Sequence, residues 1–328
     1  MRKTLILLAV LFQFFVLAYM AGGREFILRK GKTTYLRTAP IDPRDLFRGD
    51  FVRLNYEISS IPINKLRGGL NLNIQDKDRR VYAVLAEGSK GLAELVYATD
   101  ETPEGGLFIK GRAMGHWTAR SLNVRYGIES YYVQQGKGKD IEKRMGRRTE
   151  VQIPLEMEIA LGRDGTAVIR SHRWSPLGIA LTVLEQPDRR QPSGRKSAKF
   201  RLTLVNASDS PLSLVNLPDH RSFSLEPWGT KDWVLSQSLG EPARPSDEDL
   251  ILLGPKESRS FDFDFTSERW LVKEKAGPVE TGTLPWSERF RIVYRAPSPE
   301  DCRSLLNKDL IWHGHLPSRA FHGMGNVD

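Results

Sequence analysis

The sequence predicts a mainly β protein, in which an N-terminal membrane helix precedes a small antiparallel barrel-like domain and then a β-sandwich. Three observations support this prediction. An apolar run occupies the N-terminus, many short segments alternate apolar and polar residues, and clusters of Gly, Pro, Asn and Asp separate those segments. Helical periodicity is nearly absent after the first run, and 328 residues are enough for two separate cores.

Residues 1–23 form the predicted membrane segment. Arg2 and Lys3 precede an apolar run from Thr4 to Ala21 that Gln13 alone interrupts. Positive charge before such a run indicates a cytoplasmic N-terminus, with the remaining chain outside the cytoplasm. The small residues at the end of the run also offer a cleavage site for a secretory signal peptide. We favour an uncleaved anchor, because the run reaches the length of about 17 to 25 residues that crosses a bilayer.

Charge is unevenly distributed along the chain. The net charge is +9, and residues 24–174 carry 27 Lys and Arg against 19 Asp and Glu, whereas residues 175–328 carry 20 against 21. A basic domain is compatible with an anionic partner such as lipid headgroups or nucleic acid. Most of the cations are scattered among acids, so we expect a solvated surface and no nucleic-acid partner. Cys302 is the single cysteine, which excludes an internal disulfide and a cysteine-based zinc site.

Residues 24–174 are predicted to form the first β domain. The alternation in residues 51–58 places Val52, Leu54, Tyr56 and Ile58 on one core-facing side. Many short strands with Gly-rich turns are typical of a small antiparallel barrel. Further strands are expected at 25–38, 81–86, 92–98, 107–111, 120–126, 131–133, 153–161 and 166–171, with a short helix at 141–148.

The segment Gly49-Asp50-Phe51-Val52-Arg53-Leu54-Asn55-Tyr56 resembles the signature of the GDYXXLXY family, a group of bacterial membrane-anchored proteins. Phe51 stands where the family usually has Tyr, an exchange that keeps the ring and removes a hydroxyl. Residues 42–46, 126–133 and 135–142 also resemble the family. The resemblance covers residues 1 to about 171, as judged from these blocks in order.

The resemblance implies a membrane-anchored β domain on the periplasmic side of a bacterial inner membrane. Members of the family are often found beside multi-spanning membrane proteins, so a membrane protein partner is also implied. The family has no established activity, and the resemblance therefore implies location and fold more than function.

Gly49 and Asp50 are predicted to form the turn that leads into the motif strand. Gly49 permits an unusual backbone conformation, and Asp50 can accept hydrogen bonds from backbone N–H groups of the turn. We therefore expect a structural role for the motif residues, which are Gly49, Asp50, Phe51, Leu54 and Tyr56.

The same turn resembles the Gly-Asp turn of several small β-barrels, including the catalytic domain of signal peptidases. A serine hydrolase on this barrel would need an exposed Ser paired with a Lys base. Ser59, Ser60 and Lys65 are close to the motif in sequence, although nothing in the sequence pairs them.

One basic cluster lies near the predicted helix at residues 141–148. On a membrane surface each cation of such a helix contributes about 1 kcal/mol of attraction to anionic headgroups. A solvated helix is the favoured alternative. The cluster consists of Lys137, Lys139, Lys143, Arg144, Arg147 and Arg148.

Residues 175–328 are predicted to form an Ig-like β-sandwich. Closely spaced turn signals separate about seven or eight alternating strands, and Phe261, Phe263 and Phe265 form one apolar face. Residues 310–321 resemble the last strand of bacterial Ig-like domains, with Trp312 as the core anchor. The other strands are expected at 178–185, 198–206, 212–217, 221–225, 232–236, 250–253, 259–265 and 289–294.

His313 and His315 are candidate metal ligands, and His322 is near them in sequence. Two residues apart on a predicted strand, they would face one side and, with a carboxylate, would suit zinc. We favour the alternative that both are surface histidines that bind no metal, because no acidic third ligand is in register with them. No phosphate-binding loop, nucleophile elbow or HExxH helix is present, so no cofactor is expected.

The sequence therefore favours a non-enzymatic, membrane-anchored extracytoplasmic protein that works with another envelope membrane protein. This interpretation rests on the predicted anchor, the two predicted β domains and the lack of a recognisable set of catalytic residues. A serine hydrolase on the barrel and a ligand- or metal-binding module remain the alternatives.

Overall fold

The computed structural model describes residues 2–38, 51–71, 77–114, 121–134, 141, 150–186, 198–228, 244–265, 271–274, 277–280 and 289–327. Within these ranges one long α-helix is followed by twenty-one β-strands, and the mainly β fold is confirmed. One large apolar core lies in the chain up to residue 174 and another begins at residue 177. The domain boundaries at 24–174 and 175–328 stay a prediction.

Helix α1 (Arg2–Lys30) is long and apolar enough to cross a membrane. Its apolar side chains are exposed, which suits a segment that is surrounded by lipid. The strand predicted from residue 25 is wrong for residues 25–30, which continue the helix. Glu25 and Arg29 form an ion pair of 2.6 Å at i,i+4, and this spacing supports a further helical turn.

Ten strands lie in the described part of the first domain, and they agree with the predicted strands in most places. The strands are β1 (Lys32–Arg37), β2 (Phe51–Arg53), β3 (Ser60–Pro62), β4 (Arg80–Glu87), β5 (Ala93–Thr99), β6 (Leu107–Ala113), β7 (Ser121–Arg125), β8 (Ser130–Tyr132), β9 (Leu155–Leu161) and β10 (Ala167–Trp174).

These strands form a nearly closed barrel around one apolar core. Five of them lie in the order β3-β7-β6-β4-β5, and a bridge between Leu66 and Ala98 brings the chain after β3 back to β5. A second sheet, β1-β9-β10, joins the barrel through a bridge between Tyr35 and Leu92. Fully buried side chains of the core include Leu36, Ile61, Ile109, Leu155 and Met157.

The predicted strand at residues 51–58 ends early, at Arg53. A short 3₁₀ turn follows, in which the Ser59 backbone N–H donates to the Tyr56 carbonyl oxygen at 2.9 Å and Ser59 Oγ accepts from the Tyr56 N–H at 3.3 Å. A serine side chain that bonds nearby backbone groups competes with strand pairing. The predicted burial pattern is nevertheless correct, since every second residue from Val52 to Ile58 is buried.

Helix α1 passes into β1 through a single residue, Gly31. Its N–H donates to the Ile27 carbonyl oxygen at 2.7 Å, and a Cβ at this position would lie 2.5 Å from that oxygen and 2.9 Å from the Leu161 oxygen. The Arg170 guanidinium also donates to the Leu28 carbonyl oxygen at 2.8 Å. The helix end therefore lies close against β9, and the Arg170 side chain bonds it to the β9–β10 hairpin.

The second domain contributes eleven described strands, including an antiparallel pair at 271–274 and 277–280 that the sequence did not predict. The predicted strand at 232–236 lies outside the described residues. The strands are β11 (Leu177–Glu185), β12 (Lys199–Asn206), β13 (Leu212–Val215), β14 (Phe223–Trp228), β15 (Leu250–Leu253), β16 (Ser258–Asp264), β17 (Leu271–Glu274), β18 (Gly277–Glu280), β19 (Arg289–Arg295), β20 (His315–Pro317) and β21 (Phe321–His322).

An aromatic core fills this domain between the sheets β11-β12-β16 and β14-β19-β20. Phe261, Phe263 and Phe265 are buried as predicted, and Trp312 is buried against Tyr294 with ring centroids 5.7 Å apart. The predicted last strand at 310–321 is interrupted, because β20 and β21 are short and separate. The Ig-like assignment of this domain stays a prediction.

Candidate functional site

The motif segment is fastened to a second segment by two tyrosine hydroxyls. Tyr56 Oη donates to the Ile128 carbonyl oxygen at 2.8 Å, and Tyr126 Oη donates to the Ile58 carbonyl oxygen at 2.7 Å. Burial, with the nearby Glu129 carboxylate, raises the pKa of both tyrosines far above its ordinary value, so both stay protonated donors. The two sequence blocks that carry the family resemblance therefore hold each other in place.

Motif residues Leu54 and Tyr56 are core residues, with exposed fractions of 2% and 1%. Phe51 begins β2 and pairs with Tyr132. Gly49 and Asp50 lie outside the described residues, so their predicted turn stays a prediction.

The predicted basic cluster also lies outside the described residues, and its contact with anionic headgroups stays a prediction. Of that predicted helix, Ile141 alone is described, as helical and buried. The undescribed cluster members are Lys137, Lys139, Lys143, Arg144, Arg147 and Arg148.

A buried set of charges crosses the sheet β1-β9-β10. Arg37, Glu156 and Arg173 lie directly opposite one another on the three strands, in the order cation, anion, cation. Arg37 Nη2 is 3.3 Å from Glu156 Oε1, and Arg173 Nε is 2.7 Å from Glu156 Oε2. The side chains of Arg37 and Glu156 are 3% and 4% exposed. We name these three residues the mixed triad.

The mixed triad extends into the second domain through Arg37. Its Nη1 donates to the His315 carbonyl oxygen, and its guanidinium carbon lies 5.8 Å from the ring centre of Trp312. The Gln152 and Ile179 backbones also exchange two hydrogen bonds, of 2.8 and 2.9 Å. The mixed triad therefore lies where the first domain contacts the second.

The His315 imidazole lies between two carboxylates of the first domain. Its Nε2 is 3.3 Å from Glu57 Oε2, and its Nδ1 is 3.4 Å from Glu94 Oε1. Arg37 Nε and Glu57 Oε1 are buried without a hydrogen-bond partner among the described residues. Polar atoms that are buried and unbonded are costly, so this junction depends on charge attraction to compensate.

The pKa values of these groups follow from burial and from the opposite charges. Burial alone would raise the pKa of Glu57, but His315 and Arg37 outweigh it and lower the pKa to about 2. The hydrogen bond from His315 also lowers the pKa of Glu94. Burial would lower the pKa of His315, and the two carboxylates raise it instead. The three groups therefore favour one another's charged forms.

The candidate metal ligands are not brought together. Gly314, with a φ of 124°, lies between His313 and His315, and His313 Nδ1 is hydrogen-bonded to the Pro297 carbonyl oxygen at 3.0 Å. The two ring nitrogens of His315 face different carboxylates, so these groups cannot converge on a single ion. Across the described ranges, no three His, Cys, Asp or Glu side chains form a metal-binding group.

The profile of the GDYXXLXY protein family matches residues 13–171. Residues 13–171 are a GDYXXLXY family domain. The match includes most of α1 and all of the barrel strands up to the middle of β10. No curated protein matches the sequence.

The serine-hydrolase alternative needs a Ser–Lys pair, and in the GDYXXLXY domain the structure gives Ser59 and Lys65 separate partners. Ser59 is 9% exposed and bonds the Tyr56 backbone, while Lys65 Nζ donates to the Leu95 carbonyl oxygen at 2.7 Å. A Lys base would have to bond the Ser hydroxyl instead.

Sequence reasoning missed the charges at the junction of the GDYXXLXY domain with the second domain. Arg37 and Glu156 are separated by more than a hundred residues, and their pairing depends on the register of β1 against β9. Period two gave no signal, because Arg37 and Glu156 alternate with the core residues Leu36, Leu155 and Met157 and are therefore expected on the outer face of the sheet.

Proposed function

We propose that this chain is a membrane-anchored extracytoplasmic interaction protein that works, without catalysis of its own, beside another membrane protein of the cell envelope. In this proposal α1 is an uncleaved anchor with a cytoplasmic N-terminus, which Arg2 and Lys3 favour under the positive-inside rule. The GDYXXLXY domain and the second domain then lie on the periplasmic side.

One observation carries this proposal: the anchor enters the folded domain without a flexible connection. Gly31 is the sole residue between α1 and β1, and Arg170 bonds the last turn of the helix. A domain held in this way has a fixed height and tilt above the bilayer. Fixed geometry lowers the entropic cost of binding a neighbour in the same membrane.

The junction between the domains supports the same function. The mixed triad and the His315 contacts hold the second domain against the GDYXXLXY domain. Both domains are therefore presented to a neighbour together. An Ig-like sandwich would serve here as a binding or spacing module, although the fold by itself does not specify a partner.

Co-purification from solubilised membranes tests the proposal. Tagged wild-type protein is expected to recover a multi-spanning membrane protein. Insertion of about twelve Gly and Ser residues between Lys30 and Gly31 gives the domain a flexible tether, and we expect it to reduce that recovery strongly. The matched control carries the same insertion between Gly105 and Gly106, where the structure has open space.

The control insertion is expected to leave recovery at the wild-type level. Absence of a specific membrane protein from the wild-type sample would contradict the proposal. Equal recovery with both insertions would show that the rigid connection is not what the partner needs.

The proposed lack of catalytic activity is tested separately. A fluorophosphonate probe reacts with activated serines, and we expect it to leave the full-length purified chain unlabelled while it labels a known serine hydrolase in the same tube. Stoichiometric labelling that Ser59→Ala or Ser60→Ala removes would contradict the proposal.

A further inference from the structure

Three arginines lie side by side across the outer face of the barrel. Arg80 on β4 pairs in register with Arg112 on β6, which pairs in register with Arg125 on β7. All three side chains are exposed. Residues directly opposite each other on neighbouring strands have Cβ atoms about 4.5 to 5.5 Å apart, and like charges in that position repel. We name these residues the arginine ladder.

The arginine ladder lines a cleft of about 480 Å³, to which Lys77 and Lys110 add two further cations. Among the lining residues that the structure describes, Asp78 is the one carboxylate. Lys110 is neutralised in part by Asp164, at 2.5 Å. The cleft therefore has a clear excess of positive charge.

The cations of the cleft are largely free to bind an anion. Arg112 Nη1 donates to the Asp78 backbone oxygen at 2.9 Å, which orients the guanidinium without cancelling its charge. Arg80 and Arg125 form no ion pair with any residue that the structure describes, and the hydrogen bond between Arg80 and the Tyr82 hydroxyl leaves the Arg80 charge uncompensated. Adjacent guanidinium groups are suited to bind phosphate through paired N–H donors.

The cleft also has an apolar edge. The Met114 side chain belongs to the lining and is 47% exposed. An anionic group attached to an apolar chain can contact both the cations and this edge. A free inorganic anion would leave the apolar edge unused.

The position of the cleft relative to α1 indicates where such a ligand lies. With α1 as the anchor of the proposed function, residues 4–23 would fill the hydrocarbon core of about 30 Å, at about 1.5 Å per residue, and Ile27 would lie about 6 Å beyond it. This is the depth of the lipid headgroups. Gly162, in the β9–β10 turn, lies close to Ile27. A Cβ added at Gly162 would be 3.3 Å from the Ile27 side chain.

The same turn contacts the edge of the cleft. The Lys110 backbone N–H donates to the Gly165 carbonyl oxygen at 2.8 Å, and Lys110 Nζ bonds Asp164. A continuous series of contacts therefore runs from the end of α1 through the β9–β10 turn to Lys110. The Lys110 end of the cleft would thus lie beside the headgroup layer.

We propose that this cleft binds the phosphate-bearing headgroup of an anionic phospholipid of the membrane that anchors the chain. This inference rests on the anchoring helix of the proposed function but not on the protein partner. It gives the domain a second attachment to the bilayer, at the barrel surface, in addition to α1.

Lipid retention tests the inference with the full-length chain in detergent. The chain is mixed with equal amounts of phosphatidylglycerol and phosphatidylcholine, and native mass spectrometry counts the lipids that it retains. We expect one phosphatidylglycerol to be retained in preference to phosphatidylcholine. The double variant Arg112→Thr, Arg125→Thr is expected to lower that retention about tenfold or more.

The matched control is Arg201→Thr, Arg303→Thr, which removes two exposed cations from the second domain. This control is expected to retain lipid as the wild type does. Thermal unfolding of each variant shows that the surface substitutions leave the fold intact. The single variant Arg125→Thr is expected to give an intermediate loss.

Several results would overturn the inference. They are equal retention by wild type and double variant, equal retention of the two lipids, and an equal loss in the control. Displacement of phosphatidylglycerol by millimolar inorganic phosphate or by an acidic peptide would assign the cleft to a soluble anion or a protein instead. Failure to recover a protein partner leaves these measurements unaffected, because the purified chain alone is used.

Discussion

The barrel carries two sets of three charges in register across three strands, and they differ in sign order and in burial. The mixed triad of Arg37, Glu156 and Arg173 alternates in sign, and its central carboxylate is buried. The arginine ladder repeats one sign and is exposed. In each set, strand register brings the three residues next to one another.

The difference separates a structural role from a binding role. A buried charge without a counter-charge is costly, and in the mixed triad both cations are paired with the Glu156 carboxylate. Exposed like charges repel only moderately in water and remain available for a ligand. The mixed triad therefore explains how the domains are held, and the arginine ladder suggests what they contact.

The largest expected effect comes from Glu156→Gln. Loss of this carboxylate leaves Arg37 buried without its counter-charge, so we expect the free energy of unfolding to fall by about 3 to 5 kcal/mol. Urea unfolding of the full-length chain in detergent micelles measures it.

Asp262→Asn is the matched control for that measurement. The Arg201–Asp262 pair has two contacts of 2.7 Å but is about half exposed, so its loss is expected to cost about 0.2 to 1 kcal/mol. Similar costs for the two substitutions would show that burial does not distinguish these pairs.

His315→Gln is expected to have an intermediate effect that depends on pH. Below about pH 6.5 the protonated ring bonds Glu57 and Glu94, and its loss is expected to cost about 1.5 to 3 kcal/mol. The folded-state pKa of His315 is raised above the ordinary 6.5, so its contribution is complete below that value. The contribution is lost as the pH rises through the folded-state pKa.

Urea unfolding of the wild type and of His315→Gln at about pH 5.5 and about pH 9 checks whether the contribution of His315 to stability falls as the pH rises. The stability difference between them should shrink at the higher pH. A constant difference would mean that protonation of His315 does not contribute to the junction.

Arg112→Glu is expected to have the smallest effect, and in the opposite direction. It converts the arginine ladder to alternating sign, which exchanges two repulsions for two attractions. We expect stability to rise by about 0.2 to 1 kcal/mol while binding of phosphatidylglycerol is lost. A destabilised variant would indicate that Arg112 is needed for the fold, through its bond to the Asp78 backbone.

Local patterns predicted much of this fold. The β9–β10 hairpin and its Gly-rich turn were predicted from alternation and turn residues, and the Phe261–Phe265 face was predicted from period two. Residues 25–30 were predicted wrongly, since β-branched and aromatic residues there suit a strand as well as a helix. Continuation of an already formed membrane helix decided the outcome.

The charged sets were beyond sequence reasoning for a different reason. Arg80, Arg112 and Arg125 are separated by 32 and 13 positions, and nothing local marks them as neighbours. Their alignment depends on strand order β4-β6-β7 and on register, which are properties of the folded sheet. The cluster that sequence did identify, at residues 137–148, is contiguous in the chain.

The single-residue passage at Gly31 also determines which way the protein faces. An α-helix turns by about 100° per residue and rises by about 1.5 Å. One residue added to or removed from α1 near its outer end would therefore rotate both domains by about 100° about the helix axis while hardly changing their height. The number of residues in the helix thus determines how the arginine ladder, and any protein-binding face, is oriented about the membrane normal.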